Sequence, residues 1–168
     1  MGKYARFGLM IVVSTVIMWA LMYLNVYAAD DVHFSQTRLF MALIMGAAMA
    51  VVMLAFMLHM FDNKRANVAV VLVSAAVFGL ALWLVRSQDT VGDVAWMKAM
   101  IPHHSIAILT SERAKITDPR VRQLADQIIE SQRKEIGEME ALIQDIRRNG
   151  SQGQAVLPPE STRQQAAK

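Results

Sequence analysis

Three long apolar stretches, roughly residues 7–29, 39–61 and 68–85, fill the first half of this 168-residue chain. Each is close to or above the ~20 residues that a helix needs to cross a bilayer. Polar turns separate them, Asp30-Asp31 through Arg38 and then Asp62 through Asn67. From Asp89 onward the pattern changes to helical spacing with charges between the apolar positions. Thr90 followed three residues later by Asp93 predicts a capping box and a helix to about Ile116, kinked or restarted at Pro102. Thr117-Asp118-Pro119 supplies a cap and a first-turn proline for a second helix to about Arg148, closed by Asn149-Gly150. The expected fold is all-α. It comprises a membrane domain over residues 1–88, an antiparallel helical hairpin over 89–149, and a flexible tail over 150–168 rich in Gln, Ser and Ala.

Within the second hairpin helix, Val121, Ala125, Ile128, Gln132, Glu135, Met139, Leu142 and Ile146 alternate spacings of four and three, which predicts one core-facing stripe. Gln132 and Glu135 interrupt it, and a carboxylate there needs a partner, a proton or a cation. On the first hairpin helix the corresponding row is Met97, Ile101, His104, Ile108 and Ser111, with Met100, His103 and Ala107 beside it. A fold-back about Thr117 sets Met100 level with Glu135, His103 with Gln132 and Met97 with Met139.

Charge is unevenly divided. The net +3 falls entirely in residues 1–88, and the polar half is neutral. The basic excess therefore flanks apolar spans and gives no basic patch for nucleic acid. Lys3, Arg6, Lys64 and Arg65 share one side of the three spans, which predicts a cytoplasmic N-terminus and an extracytoplasmic or periplasmic hairpin at a bacterial inner membrane. Val26-Tyr27-Ala28 also resembles a signal-peptide cleavage site, a rival reading that leaves the hairpin on the same side. No acidic or basic residue lies deep in a span, so an ion-driven transporter is not expected.

The chain has no cysteine, 13 methionines and 4 histidines, so soft-metal chemistry would fall to thioether and imidazole. Imidazole, thioether and carboxylate converging in the hairpin suit copper. A core hydrogen-bond network of His, Gln and Glu with methionines filling gaps reads the same residues without a metal.

The run Trp96-Met97-Lys98-Ala99-Met100-Ile101-Pro102-His103-His104, followed by Asp118-Pro119, Leu124-Ala125, Ile128-Ile129 and Gln132-x-x-Glu135-Ile136-x-x-Met139, resembles the domain of unknown function 305 family over residues 89–146. That resemblance implies a ferritin-like, usually extracytoplasmic helical domain associated with copper. It implies His103, His104, Met97, Met100 and Met139 as candidate ligands, with Glu135 as ligand or supporting group and Gln132 orienting an imidazole. Ser105 stands where many relatives have glutamine, and the motif occurs once, which does not match a high-capacity store.

In the membrane half Met41, Met45, Met49, Met53 and Met57 recur every fourth residue. Steps of four drift ~40° each around a helix, so the row forms a ridge suited to helix packing, with Gly46, Ala47, Ala48 and Ala50 offering close backbone approach; a copper conduit is the competing reading. Trp19, Tyr23, Asn25, Tyr27 and Trp83 fit interfacial anchoring or interhelical bonding, and His33 is solvated or an added ligand. A two-helix hairpin buries little apolar surface, so pairing into a four-helix bundle as a homo-oligomer is expected. The expected function is copper capture, delivery or tolerance by a non-enzymatic protein held in membrane lipid. The alternative is a metal-free structural or assembly subunit of a larger membrane complex. Glu-x-x-His motifs are absent, which argues against a di-iron oxidase.

Overall fold

The computed structural model describes residues 2–153 and 155–157. Every regular element among them is helical: α1 (Lys3–Leu21), α2 (Gln36–Phe56), α3 (Lys64–Ser87), α4 (Asp93–Arg113) and α5 (Pro119–Asn149). Short 3-10 turns at Ala29–Asp31 and Leu58–Met60 follow α1 and α2. The first three helices are long and apolar enough to cross a membrane. The tail expected over 150–168 falls largely outside the described residues.

α2 is the central membrane helix and packs closely against both α1 and α3, which touch each other through side chains where Tyr4 bonds Asn67. Its buried row is Ala42, Gly46, Ala50 and Leu54, an i±4 ridge of mostly small side chains. At Gly46 the backbones approach so closely that a Cβ would lie 2.3 Å from Thr15 Oγ1 of α1. Of the small residues expected to give close approach, Gly46, Ala47 and Ala50 are buried and Ala48 is exposed, and the methionine row lies beside them. Met41 is exposed, while Met45, Met49, Met53 and Met57 lie half-buried along that flank.

α1 stops at Leu21, well short of residue 29. The Tyr23 and Leu24 amides bond back to the Ala20 and Leu21 carbonyls, both at 3.1 Å, which tightens the last turn. Arg38 from α2 then caps the end, its Nη1 donating to the Met22 carbonyl at 2.7 Å while the guanidinium sits 4.4 Å from the Tyr23 ring centroid. The Tyr23 hydroxyl accepts the Ser35 amide at 3.0 Å. Arginine at the end of a span thus serves a helix C-terminus, where orphan carbonyls attract cations. Ser35 and Asn63 cap α2 and α3, which begin earlier than the apolar runs suggest, at Gln36 and Lys64.

The opposite end is tied by an exposed ion pair between Lys3 and Asp62, which holds the Asp62 carboxyl below its usual range chiefly through the hydrogen bond. The Tyr4 hydroxyl donates to Asn67 Oδ1 at 2.9 Å and accepts the Asn63 amide at 3.1 Å. The N-terminus and the α2–α3 turn therefore share one end of the helices, and the hairpin meets the α1–α2 loop at the other.

In the hairpin, α4 starts at Asp93 behind Gly92, with no side-chain cap, so the Thr90 capping box does not form. Pro102 is fully buried and α4 continues through it to Arg113. α5 follows the sequence closely: Asp118 accepts the Arg120 amide at 2.9 Å, Pro119 opens the helix, and Gly150 ends it at a positive φ of 81°. The shared core is Met97, Ile101 and Ile108 from α4 with Ile136, Met139 and Ile143 from α5. Of the expected α5 stripe, Val121, Glu135 and Leu142 are exposed. Ala125 and Met139 of that stripe are buried, Ile128, Gln132 and Ile146 are half-buried, and the buried face is shifted toward Ile129, Ile136 and Ile143, which present an unbroken aliphatic row where the expected one carries Glu135.

The hairpin is docked on the membrane half. Ser105, fully buried on α4, accepts the Tyr27 amide at 2.7 Å and donates to the Asp31 carboxylate. The Arg133 guanidinium of α5 lies 5.9 Å from the Tyr27 ring centroid.

Candidate metal centre

α4 and α5 run antiparallel, so residues a turn apart on one helix meet residues a turn apart on the other. The register differs by one helical turn from the even fold-back: Glu135 faces His104 rather than Met100. Two helices joined by the Ala114–Asp118 connection need not be symmetric about its centre, and the match of Ile101 and Ile108 with Ile136 and Ile143 sets the offset.

His104 is held at both ring nitrogens. Nδ1 lies 3.0 Å from the Met100 carbonyl, one turn earlier on α4, and Nε2 lies 2.7 Å from Glu135 Oε2. A carbonyl only accepts, so Nδ1 carries the hydrogen. Nε2 faces the carboxylate oxygen at hydrogen-bonding distance, so the two groups are paired directly with each other. The His104 side chain is 11% exposed and that of Glu135 48%, so the pair sits on the rim of the hairpin core with solvent access through the carboxylate. Glu135 Oε1 accepts a long bond of 3.4 Å from Ser131, which takes one of 3.5 Å from Gln132 Nε2. Gln132 therefore supports the carboxylate side and does not orient an imidazole.

Met97 and Met139 belong to the buried core, 4% and 6% exposed, and Met100 packs against the same cluster. The methionines and the His104–Glu135 pair thus occupy successive turns of the two facing helices. His103 is exposed and has no hydrogen-bond partner among the described residues; its ring centroid is 6.1 Å from that of His104. His33 is half-buried in the α1–α2 loop, its Nδ1 without a partner, and His59 is exposed after α2. No group of three or more His, Asp or Glu that could hold a metal occurs among the described residues.

The donor set fits a soft or borderline ion better than a hard one. Two donors bound tetrahedrally to one ion at ~2.0–2.1 Å stand ~3.3 Å apart, so the 2.7 Å His104–Glu135 pair would open slightly and turn both groups toward a shared ion. Donation of the other ring hydrogen to a backbone carbonyl is the arrangement that usually orients metal-bound imidazole. Around this pair stand Ser131, Gln132 and the exposed His103, and the thioethers of Met97, Met100 and Met139, a ligand type that favours Cu(I), lie in or against the adjoining core.

Ser105 and Asp31 were not legible as a pair in the sequence. The available signal was a lone serine between Ile101 and Ile108 on the buried row of α4, where a hydroxyl needs a partner.

The chain is similar to "Uncharacterized protein L153" of Acanthamoeba polyphaga mimivirus, 29% identical over 142 residues that cover 82% of this chain and 91% of that protein. That span exceeds the hairpin and tail together, so the similarity reaches into the apolar half. No solved structure matches the chain. The family model described as Domain of unknown function (DUF305) matches residues 93–168, from the first residue of α4 onward and behind the three apolar helices.

Proposed function

We propose that the α4–α5 hairpin binds a copper ion and that the protein captures copper or passes it on at the face of a membrane. The observation that carries this reading is His104, its Nδ1 committed to the Met100 carbonyl and its Nε2 2.7 Å from the Glu135 carboxylate. His104 and Glu135 would hold the ion, with Met100, Met97 and Met139 as thioether donors from adjoining turns. His103 joins only by a rotamer change, which its exposure permits. Bound copper would supply a thiophilic, exchangeable cation and the chain an orienting cradle; no catalytic step is assigned.

Lys3, Arg6, Lys64 and Arg65 gather at one end of the membrane helices, which by the positive-inside rule is the cytoplasmic end. The hairpin then lies on the periplasmic or extracytoplasmic side of a bacterial inner membrane. The exposed row of Trp96, Val121, Leu124 and Leu142 supports pairing of two ferritin-like hairpins into a four-helix bundle.

The test is a titration of the full chain in detergent with Cu(I) and Cu(II) against a chromophoric chelator. Affinity should fall at least tenfold in His104→Ala and in Glu135→Gln, and less in His103→Ala. Wild-type affinity in the His103→Ala, His104→Ala double variant overturns the assignment.

A further inference from the structure

Pro102 stands in the interior of α4, and the helix runs on through it. Having no amide, it leaves the Lys98 carbonyl, four residues back, without its helical donor, and its ring presses on that same carbonyl. Both effects lengthen the side of the helix that carries the proline and bend the axis toward the opposite side. Pro102 is fully buried, and so is Ser105 three residues on, which shares its face and holds the α1–α2 loop. The proline is therefore on the docking side of α4, away from α5. Filling that space alone would be served by alanine or valine, both far better suited to a helix interior than proline.

Two residues correspond to ~200° around a helix, so Met100 and His104 both lie opposite Pro102, one turn from each other. That is the inner side of any bend the proline makes, where successive turns are drawn together. On that side the His104 Nδ1 lies 3.0 Å from the Met100 carbonyl, an oxygen that the helical ladder already assigns to the His104 amide. The same curvature bows α4 around α5, where Glu135 meets Nε2 at 2.7 Å.

We propose that Pro102 is a positioning residue for His104, bending α4 so that the imidazole is fixed between the Met100 carbonyl and the Glu135 carboxylate. The functional consequence rests on the reading of that pair as a copper site, whereas the orientation of the ring belongs to the metal-free chain as well.

The experiment compares the full chain in detergent, isotopically labelled at the histidine nitrogens, as wild type, Pro102→Ala and Ser105→Ala. In the metal-free wild type the His104 Nδ1 resonance should be that of a protonated, hydrogen-bonded nitrogen. Pro102→Ala should move it toward the average of two tautomers. It should also lower affinity for Cu(I) about tenfold, as loss of a group that orients a metal-bound imidazole does. Pro102→Val, which fills the same space with a residue that has an amide, should behave like Pro102→Ala. Ser105→Ala loosens the docking face but keeps the proline, and should leave both readouts unchanged. A wild-type Nδ1 signal in Pro102→Ala and Pro102→Val overturns the proposal. So does an equal displacement in Ser105→Ala, which would assign the ring's orientation to docking. If the wild-type chain takes up no copper, the copper reading falls, and the Nδ1 signal still decides whether Pro102 orients the ring.

Discussion

At the scale of single residues, His104 and Glu135 differ from the methionines beside them in what their loss should do. Glu135 is 48% exposed, and a pair with one solvated partner contributes little to folding, ~0–1 kcal/mol. Glu135→Gln should leave the thermal midpoint of the hairpin nearly unchanged while copper affinity falls at least tenfold. Met139 is 6% exposed in the core, so Met139→Ala should cost ~2–5 kcal/mol in denaturant unfolding, whether or not copper is present. A loss of stability in Glu135→Gln as large as that of Met139→Ala would make the pair part of the folding core and not a binding site. The residue types at this site were readable from the motif and from the mixture of imidazole, thioether and carboxylate. Their pairing was not, because a one-turn slip exchanges His104 for Met100 opposite Glu135, and only the packing of Ile101 and Ile108 against Ile136 and Ile143 in the folded hairpin selects between the two.

At the scale of elements, caps and composition were the legible signals, and choices between adjacent rows were not. Asp118 and Gly150 end α5 where the sequence indicates, since a side-chain oxygen or a positive φ acts locally and needs no partner helix. Burial of Ile136 rather than Glu135, or of Gly46 rather than Met45, depends on the neighbour. In both cases the chosen row is the one that lets two helices approach with no polar group or long side chain between them. Gly46→Ala should therefore separate α1 from α2 at a cost of ~1–3 kcal/mol, because Thr15 is β-branched and cannot swing aside freely. Thr15→Ala removes both atoms nearest that Cβ and should restore the thermal midpoint in the double variant; no restoration would place the defect elsewhere. Asp118 offers a pH test. Its carboxyl is held below the usual range, first by the Arg120 guanidinium and then by the Arg120 amide. A depressed carboxylate stabilises the folded state above its unfolded pKa, and that contribution is lost as pH falls through the lower, folded value. The stability of α5 should thus decline on acidification below about pH 4, and Asp118→Asn, which keeps the cap but has no charge to lose, should flatten that decline.

At the scale of the whole molecule, the question is whether the three membrane helices do more than hold the hairpin at a surface. One helix would suffice as a tether, yet the hairpin is joined to the α1–α2 loop by a buried contact one residue from His104. Ser105 takes the Tyr27 amide and gives its own hydrogen to Asp31, so a single hydroxyl satisfies a loop donor and a loop acceptor at once. The loop in turn begins where Arg38 and Tyr23 close the end of α1. Hairpin, loop and the C-terminal end of α1 are thereby one connected unit, and Trp19 sits on the last turn of that helix. Ser105→Ala leaves the Tyr27 amide and the Asp31 carboxylate without their buried partner, a loss of ~1–3 kcal/mol confined to the docking contact. Amide hydrogen exchange of the full chain in detergent should then quicken across residues 25–35, while the core amides of α4 and α5 keep their wild-type protection. Asp31→Asn, which keeps an acceptor oxygen for Ser105, should lie between the two. If Ser105→Ala exchanges like wild type across that loop, the hairpin is held to the membrane half by other contacts, and the position of His104 over the membrane is independent of Ser105.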